Sequence, residues 1–491
     1  MVMTKDRRTS FRGDSRILSG LAAASLMLLG GALYPSAAAA ETLHQALASA
    51  YKYNPRIDAE RARLRATDEE VARANSGYRP FVSGSADVTH DWQKTRPPSV
   101  GDGSNTSKGY GVGLTQSIFS GFRTVNAVNE AEAVVRAGRE TLRDVEQGVL
   151  LEAATAFMDV VRDQAILRLR ENNVNVLSRE LQATRDRFAV GEVTRTDVAQ
   201  AEARRAGSIS ALDLARSNLK ISRATFERVI GHAPGRIVEP KGPYAGLPRT
   251  QDEAVAVAIR EAPSVVGALY REQAARFTVE KIWGELLPEV QLEASYNQRF
   301  DPSSMIDERQ GATVTGRVNV PIYSGGEVHA RVRQAKQTHL SRIQEIEQYR
   351  TEAREAVFSA WAQLTAAKAQ LESDQAQVAA ARTALTGVRE EQKVGQRTIL
   401  DVLNAEQEFL TAQVSLETTR RNLVVASYLV QRSIGRMTSE QLSLTKVVYD
   451  PEVHHQEVRR QWWGISITHA DGRRETLDLS DKPEPKRKST K

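Results

Sequence analysis

The chain has 491 residues, no cysteine, 67 Lys and Arg against 61 Asp and Glu, and a formal net charge of +6. The lack of cysteine excludes disulfides, thiol catalysis and Cys-ligated metals. Residues 1–40 hold five bases and two acids, and residues 481–491 do the same; each end is +3 and residues 41–480 are neutral. The basic excess therefore forms no nucleic-acid-binding face, and no nucleic acid is expected as a partner.

Residues 1–40 are expected to be a removed signal peptide. Lys5, Arg7, Arg8, Arg12 and Arg16 form its basic region, residues 17–33 its apolar core, and Ala38, Ala39 and Ala40 its small-residue cleavage site. Arg7-Arg8 is read as an ordinary basic region, not a twin-arginine signal. The apolar run is short and Gly/Ser-diluted for a retained anchor. No Cys follows it to carry a lipid, so an exported, unlipidated chain is expected.

Residues 42–76 have a helical period, broken where Pro55 favours a helix start. After Pro80 the period changes to two. Val82, Gly84, Ala86, Val88 and Trp92 alternate with polar residues, and so do Tyr110, Val112 and Leu114 after the polar segment KTRPPSVGDGSNTSK. Val290, Leu292, Ala294 and Tyr296, then Val314, Val318 and Val320, repeat the pattern. Strands of about ten residues with one apolar face suit a membrane barrel. Four strands are too few to close one and bare edges are not tolerated in lipid, so the chain is expected to oligomerise. Glycines 109, 111 and 113 lie within a strand and are read as relief of crowding in the barrel wall, not as a dinucleotide fingerprint.

Residues 123–190 contain no Pro and two Gly, and residues 327–394 form their counterpart. A continuous helix of that length spans on the order of 100 Å, and its apolar gaps of three and four predict coiled-coil packing. Each stretch ends in the same motif. RFAVGEVTRTDV closes the first and EQKVGQRTILDV the second, 204 residues later. Gly191 and Gly395 suit the left-handed residue after a helix. Thr194 with Asp197, and Thr398 with Asp401, match the pattern that caps the next helix. Returning helices are predicted at 194–230 and 398–434. SIFSG at 117–121 and PIYSG at 321–325 keep the 204 offset, so the chain is a tandem repeat.

The resulting division is a leader at 1–40, repeats at 41–232 and 251–440, a linker at 233–250, a segment at 441–480 expected near the equator of the helical tunnel, and a basic disordered tail at 481–491. Trp462 and Trp463 are expected to pack onto the outside of the helices. Asp450, His454 and His455 lack metal-ligand spacing. No P-loop, HExxH or nucleophile elbow is present, so neither enzyme activity, cofactor nor metal is expected.

The tandem repeat, the strand starts after Pro80 and Pro288, the strand ends SIFSG and PIYSGG, and the paired VGxxxxxDV hairpins together resemble the TolC family of outer-membrane channel proteins. The resemblance covers about residues 41–440. It implies a homotrimer in which each chain gives four strands to a twelve-stranded barrel, continued by a periplasmic tunnel of helices. It also implies a passive duct served by a periplasmic adaptor and an inner-membrane pump, ABC-type or proton-driven, for type I protein secretion or multidrug efflux. By motif position it places gate bonds on Thr196, Asp197 and Arg397, with Gln392 where the family has a tyrosine. Asp401 matches one acidic ring of the aperture and Asn404 replaces the other. Val190, Gly191, Val394 and Gly395 would form the adaptor-docking tips. The alternatives are a passive porin, against which the long helices count, and a periplasmic coiled-coil scaffold, which leaves the strands unexplained.

Overall fold

A computed structural model describes residues 40–96, 103–240, 242–303, 305–468 and 474–475. The expected leader up to residue 39, residues 97–102 of the polar segment and the expected basic tail lie outside these residues.

Helices α1 (Leu43–Tyr53) and α2 (Pro55–Asn75) meet at Asn54, whose side chain caps α2 ahead of Pro55. Strands β1 (Phe81–Gln93) and β2 (Gly103–Ser120) follow, then α3 (Arg123–Ala189) and the returning α4 (Arg195–Ile230). The order recurs as α5 (Gln251–Glu261), α6 (Pro263–Trp283), β3 (Glu289–Ser303), β4 (Ile306–Asn319), α7 (Glu327–Lys393) and α8 (Ile399–Ser433). A last helix, α9 (Pro451–Arg460), has no counterpart. Both long helices run 67 residues, about 100 Å, and among the described residues no helix is long and apolar enough to cross a membrane.

The four long strands make one antiparallel sheet in the order β1-β2-β3-β4. Its register puts Val82 beside Leu114, Leu114 beside Ala294, and Ala294 beside Val314. The even-numbered residues therefore share one mostly apolar face, on which Val82, Val88, Trp92, Val112, Leu292, Val314 and Val318 are exposed, with Lys108, Gln298, Glu308 and Gln310 toward its far end. The opposite face pairs charges across strands: Arg299 meets Asp87 at 2.9 Å and Arg317 meets Glu293 at 3.1 Å. Asp87, Gly109 and Arg299 are in direct register, so Gly109 leaves the path by which Arg299 of β3 crosses β2 to reach β1. A Cβ at Gly111 would collide with Asn297 Oδ1 at 2.3 Å. Gly109 and Gly111 thus relieve crowding on the polar face, whereas a Cβ at Gly113 would meet only Ser83 Oγ at an ordinary 3.5 Å.

The strands are longer than the ten residues expected, at 13, 18, 15 and 14. The excess in β2 begins at Gly103 and includes Ser104, Asn105 and Thr106, which read as loop but pair with β1. The repeats also differ at their strand ends. Ser117, Phe119 and Ser120 pair with β3 around a bulge at Ile118, whereas β4 stops at Asn319 on the sheet edge and leaves Ile322 96% and Tyr323 82% exposed.

The halves interlock where Gly121 meets Gly284. A Cβ built on either would fall 2.2 Å from the other's carbonyl oxygen, so no side chain fits at this crossing. The largest core lies midway along α3. Leu47 and Tyr51 of α1, Phe157 of α3, Phe226 of α4, and Met437 and Leu442 pack together there. Phe157 and Phe226 are fully buried, so Phe157→Ala should cost about 3–5 kcal/mol, measured by denaturant unfolding. At the same level Glu146 accepts the Ser439 backbone N–H at 2.5 Å. Burial there raises its pKa above the ordinary glutamate range. A raised folded pKa stabilises the fold most below the unfolded value and loses that contribution as pH rises. Glu146→Gln keeps the acceptor, so melting between about pH 4 and pH 8 should show a flatter pH dependence; equal slopes would remove Glu146 from this account.

Trp462 and Trp463 correct an expectation. They are 69% and 91% exposed, so neither is buried against the helices. Trp462 instead lies over the Arg79 guanidinium, 4.8 Å from ring centroid to Cζ.

Candidate functional site at the helical hairpins

Both long helices end in the same backbone device. Gly191 at φ +83° donates to Phe188 O at 3.0 Å, and Glu192 donates to Arg187 O at 2.9 Å. Gly395 at φ +80° donates to Gln392 O at 3.0 Å, and Gln396 donates to Glu391 O at 2.9 Å. This double closure satisfies the last carbonyls of each helix and needs a left-handed residue that glycine supplies without strain. Gln392 thus serves the second tip through its backbone carbonyl, as Phe188 serves the first. A Cβ at either glycine would meet nothing within 4 Å, so strain, not crowding, selects glycine. Val190 and Val394 stand beside them, 73% and 71% exposed, as apolar points at the tips.

The returning helices begin with matching capping boxes. Thr194 N–H donates to Asp197 Oδ2 at 2.9 Å, and Thr194 Oγ1 accepts the Asp197 N–H at 3.2 Å. Thr398 and Asp401 repeat these bonds at 2.9 and 3.2 Å. The Thr398 bonds hold the Asp401 carboxyl below the usual aspartate range. That cap is fully formed above the unfolded value and is lost only as pH falls through the lowered one. Thr196 is exposed in the first turn of α4.

Within one chain Arg397 does not reach Asp197. Its Nε donates to Glu391 Oε2 at 2.8 Å, in its own hairpin, and this pairing raises the guanidinium pKa further above its ordinary value. The Asp197 bonds use Oδ2. Glu391 is a partner that motif position alone did not suggest. Asn404 accepts from Arg204 at 2.8 Å and ties α8 to α4.

Two further ion pairs stitch the hairpins. Arg185 meets Glu202 at 2.5 Å between α3 and α4, and Arg389 meets Glu406 between α7 and α8. Burial raises the Glu406 pKa against the pull of Arg389. Both members of the second pair are displaced by 204 from the first, so the repeat could have revealed them. The site is therefore two hydrogen-bonded turns, each with an apolar tip and paired charges.

The family model of the outer membrane efflux proteins matches residues 44–232 and 255–436. The outer membrane efflux protein BepC of Brucella suis biovar 1 is 40% identical over 456 residues, 92% of this chain and 98% of its own length. The outer membrane protein TolC of Escherichia coli K12 is 24% identical over 431 residues, 83% of this chain and 85% of its own. Among solved structures, the CmeC outer membrane channel of Campylobacter jejuni has a similar fold, with a TM-score of 0.72 at 15% identity over 85% of this chain and 89% of that one.

Proposed function

The chain belongs to the outer membrane efflux protein family, and from that premise we propose that copies of it close a barrel in the outer membrane and form a helical duct below it. One observation carries this reading. The four-stranded sheet has an exposed apolar face, a charge-paired polar face and two unpaired edges, β1 and β4. Lipid tolerates no bare edge, so β4 of one copy pairs with β1 of the next. Two copies would give eight strands, whose interior side chains fill, so an open bore needs at least three. Three copies place twelve strands above a tunnel about 100 Å long, matching the 67-residue helices. Each half of the repeat contributes one helical hairpin to the closed end.

The chain takes the role of passive conduit in an efflux or secretion system. A periplasmic adaptor docks on Val190, Gly191, Val394 and Gly395, and an inner-membrane pump supplies energy and selects cargo. Asp197, Thr196, Arg397, Gln392 and Asp401 surround the aperture. Arg397 reaches Asp197 of a neighbouring copy and latches adjacent hairpins. Purified oligomers in planar bilayers should conduct, and Arg397→Ser and Asp197→Ala should each raise conductance. Their combination should add little if the residues bond each other. Glu391→Gln is the control, because it frees Arg397 from its own hairpin. If Glu391→Gln raised conductance as much as Arg397→Ser, the bond within the hairpin would account for closure. Assembled oligomers without conductance would overturn the duct.

A further inference from the structure

We propose that the segment after α9 is a membrane-interface anchor that seats Trp462, Trp463 and Ile465 in the periplasmic leaflet of the outer membrane, with Arg79 and Arg460 against its lipid phosphates. The inference rests on the barrel reading above and assigns a lipid contact to a segment outside the repeat.

Helix α9 delivers the segment to this level. Asp450 caps its start, and His455 and Val458 are buried beneath it. His454 Nδ1 lies 2.9 Å from Asp68 of α2, a carboxylate only 1% exposed. Glu452 meets Arg139 of α3 at 2.6 Å, and Arg459 meets Glu132 at 2.9 Å. Because α3 descends from the sheet, passing from Arg139 to Glu132 is a climb toward it. Glu132 stands about 14 Å below the start of α3. The chain then leaves α9, and Trp462 stacks on Arg79, two residues before β1.

The outer side of the duct follows from the same contacts. Arg139 and Glu132 share a face of α3 with Gln147 and Glu146, which hold Gly435 and Ser439. Helix α1, the linker and residues 435–444 pack on that face as a second layer around Phe157. A layer of this bulk inside the bore would obstruct it, so it lies outside and α9 continues on that side. Outside the duct, just below the apolar face that starts at Val82, is the inner edge of the membrane.

The chemistry of the segment suits that edge. Trp462 and Trp463 are 69% and 91% exposed, and Ile465 and Ile467 are exposed beside them. Tryptophan favours the headgroup level because its ring is apolar and its N–H polar. Arg79 and Arg460 line the hollow under Trp462 with Asn75, Tyr78, Gln456 and Arg459; of the three arginines, only Arg459 is paired with a carboxylate among the described residues, that of Glu132. Phosphate headgroups complement this charge.

The cysteine-free chain allows a direct test. Nitroxides are placed singly at Ile465→Cys, Leu292→Cys and Val190→Cys, and their collision rates with oxygen and a water-soluble nickel chelate are measured in phospholipid vesicles. The 465 label should favour oxygen, lying between the lipid-facing 292 label and the aqueous 190 label. Adding Trp462→Ala and Trp463→Ala should shift it to the 190 value. A 465 label as aqueous as 190, while 292 stays in lipid, would overturn the anchor. So would one shielded from both reagents, which would mean that protein covers the segment. An aqueous 292 label would overturn the barrel reading itself, and the anchor with it.

Discussion

Arginine at Leu292 should leave little oligomer in the membrane. Leu292 lies on the apolar face, opposite Gly316 of β4 and Gln116 of β2. A cation there would face the apolar membrane at a cost of up to about 2–4 kcal/mol, the midplane value, repeated in every copy. Glu293 is its neighbour on the other face, in a bidentate pair with Arg317 at 3.1 Å. Glu293→Arg loses that pair and places two cations side by side, but both remain in the water of the bore. Its expected effect is therefore the smaller of the two. The measurement is the fraction of membrane-extracted protein that runs as oligomer for each variant. Equal tolerance of both changes would contradict the assignment of faces, and a greater loss with Glu293→Arg would reverse it.

The helical part of this fold is written locally. Residues 123–190 and 327–394 are stretches free of Pro that end in Val-Gly, and the helices found are Arg123–Ala189 and Glu327–Lys393. Thr194 with Asp197 and Thr398 with Asp401 announce the caps that form. Strand faces are equally legible, because alternation fixes which residues share a side. Strand lengths are less so. Ser104, Asn105 and Thr106 have the composition of a loop, and only their pairing with Trp92, Asp91 and His90 makes them strand. Pairing across sequence distance is also what hides the Asp87–Arg299 bridge, although Gly109 between them marks its path. At the hairpins, the turn geometry follows from Gly191 and Gly395, but the bond from Arg397 to Glu391 depends on side chains that share the surface of one tip. Arg397 carries opposite prospects there, a partner within the chain and one across chains, and motif spacing cannot choose between them.

Valine at Gly191 or Gly395 should abolish most export while leaving the oligomer intact. At φ of +83° and +80° a β-branched side chain clashes with its own backbone, at a cost of order 1–3 kcal/mol for a left-handed position. No neighbour lies within 4 Å of either Cβ position, so the strain can be relieved only by opening the turn. Opening it breaks the bonds from Gly191 to Phe188 and from Glu192 to Arg187, and displaces the exposed Val190. The damage stays local because α3 is clasped to α4 farther up by Arg185 and Glu202 and by the buried Phe157–Phe226 pair. Asparagine tolerates the left-handed region, so Gly191→Asn should keep the turn and retain most activity. The paired measurement is drug resistance or protein secretion in cells lacking the native channel, alongside the fraction of oligomer in their membranes. Loss of the oligomer in Gly191→Val would make the glycine a folding requirement only. Full export with a valine tip would show that the adaptor docks elsewhere.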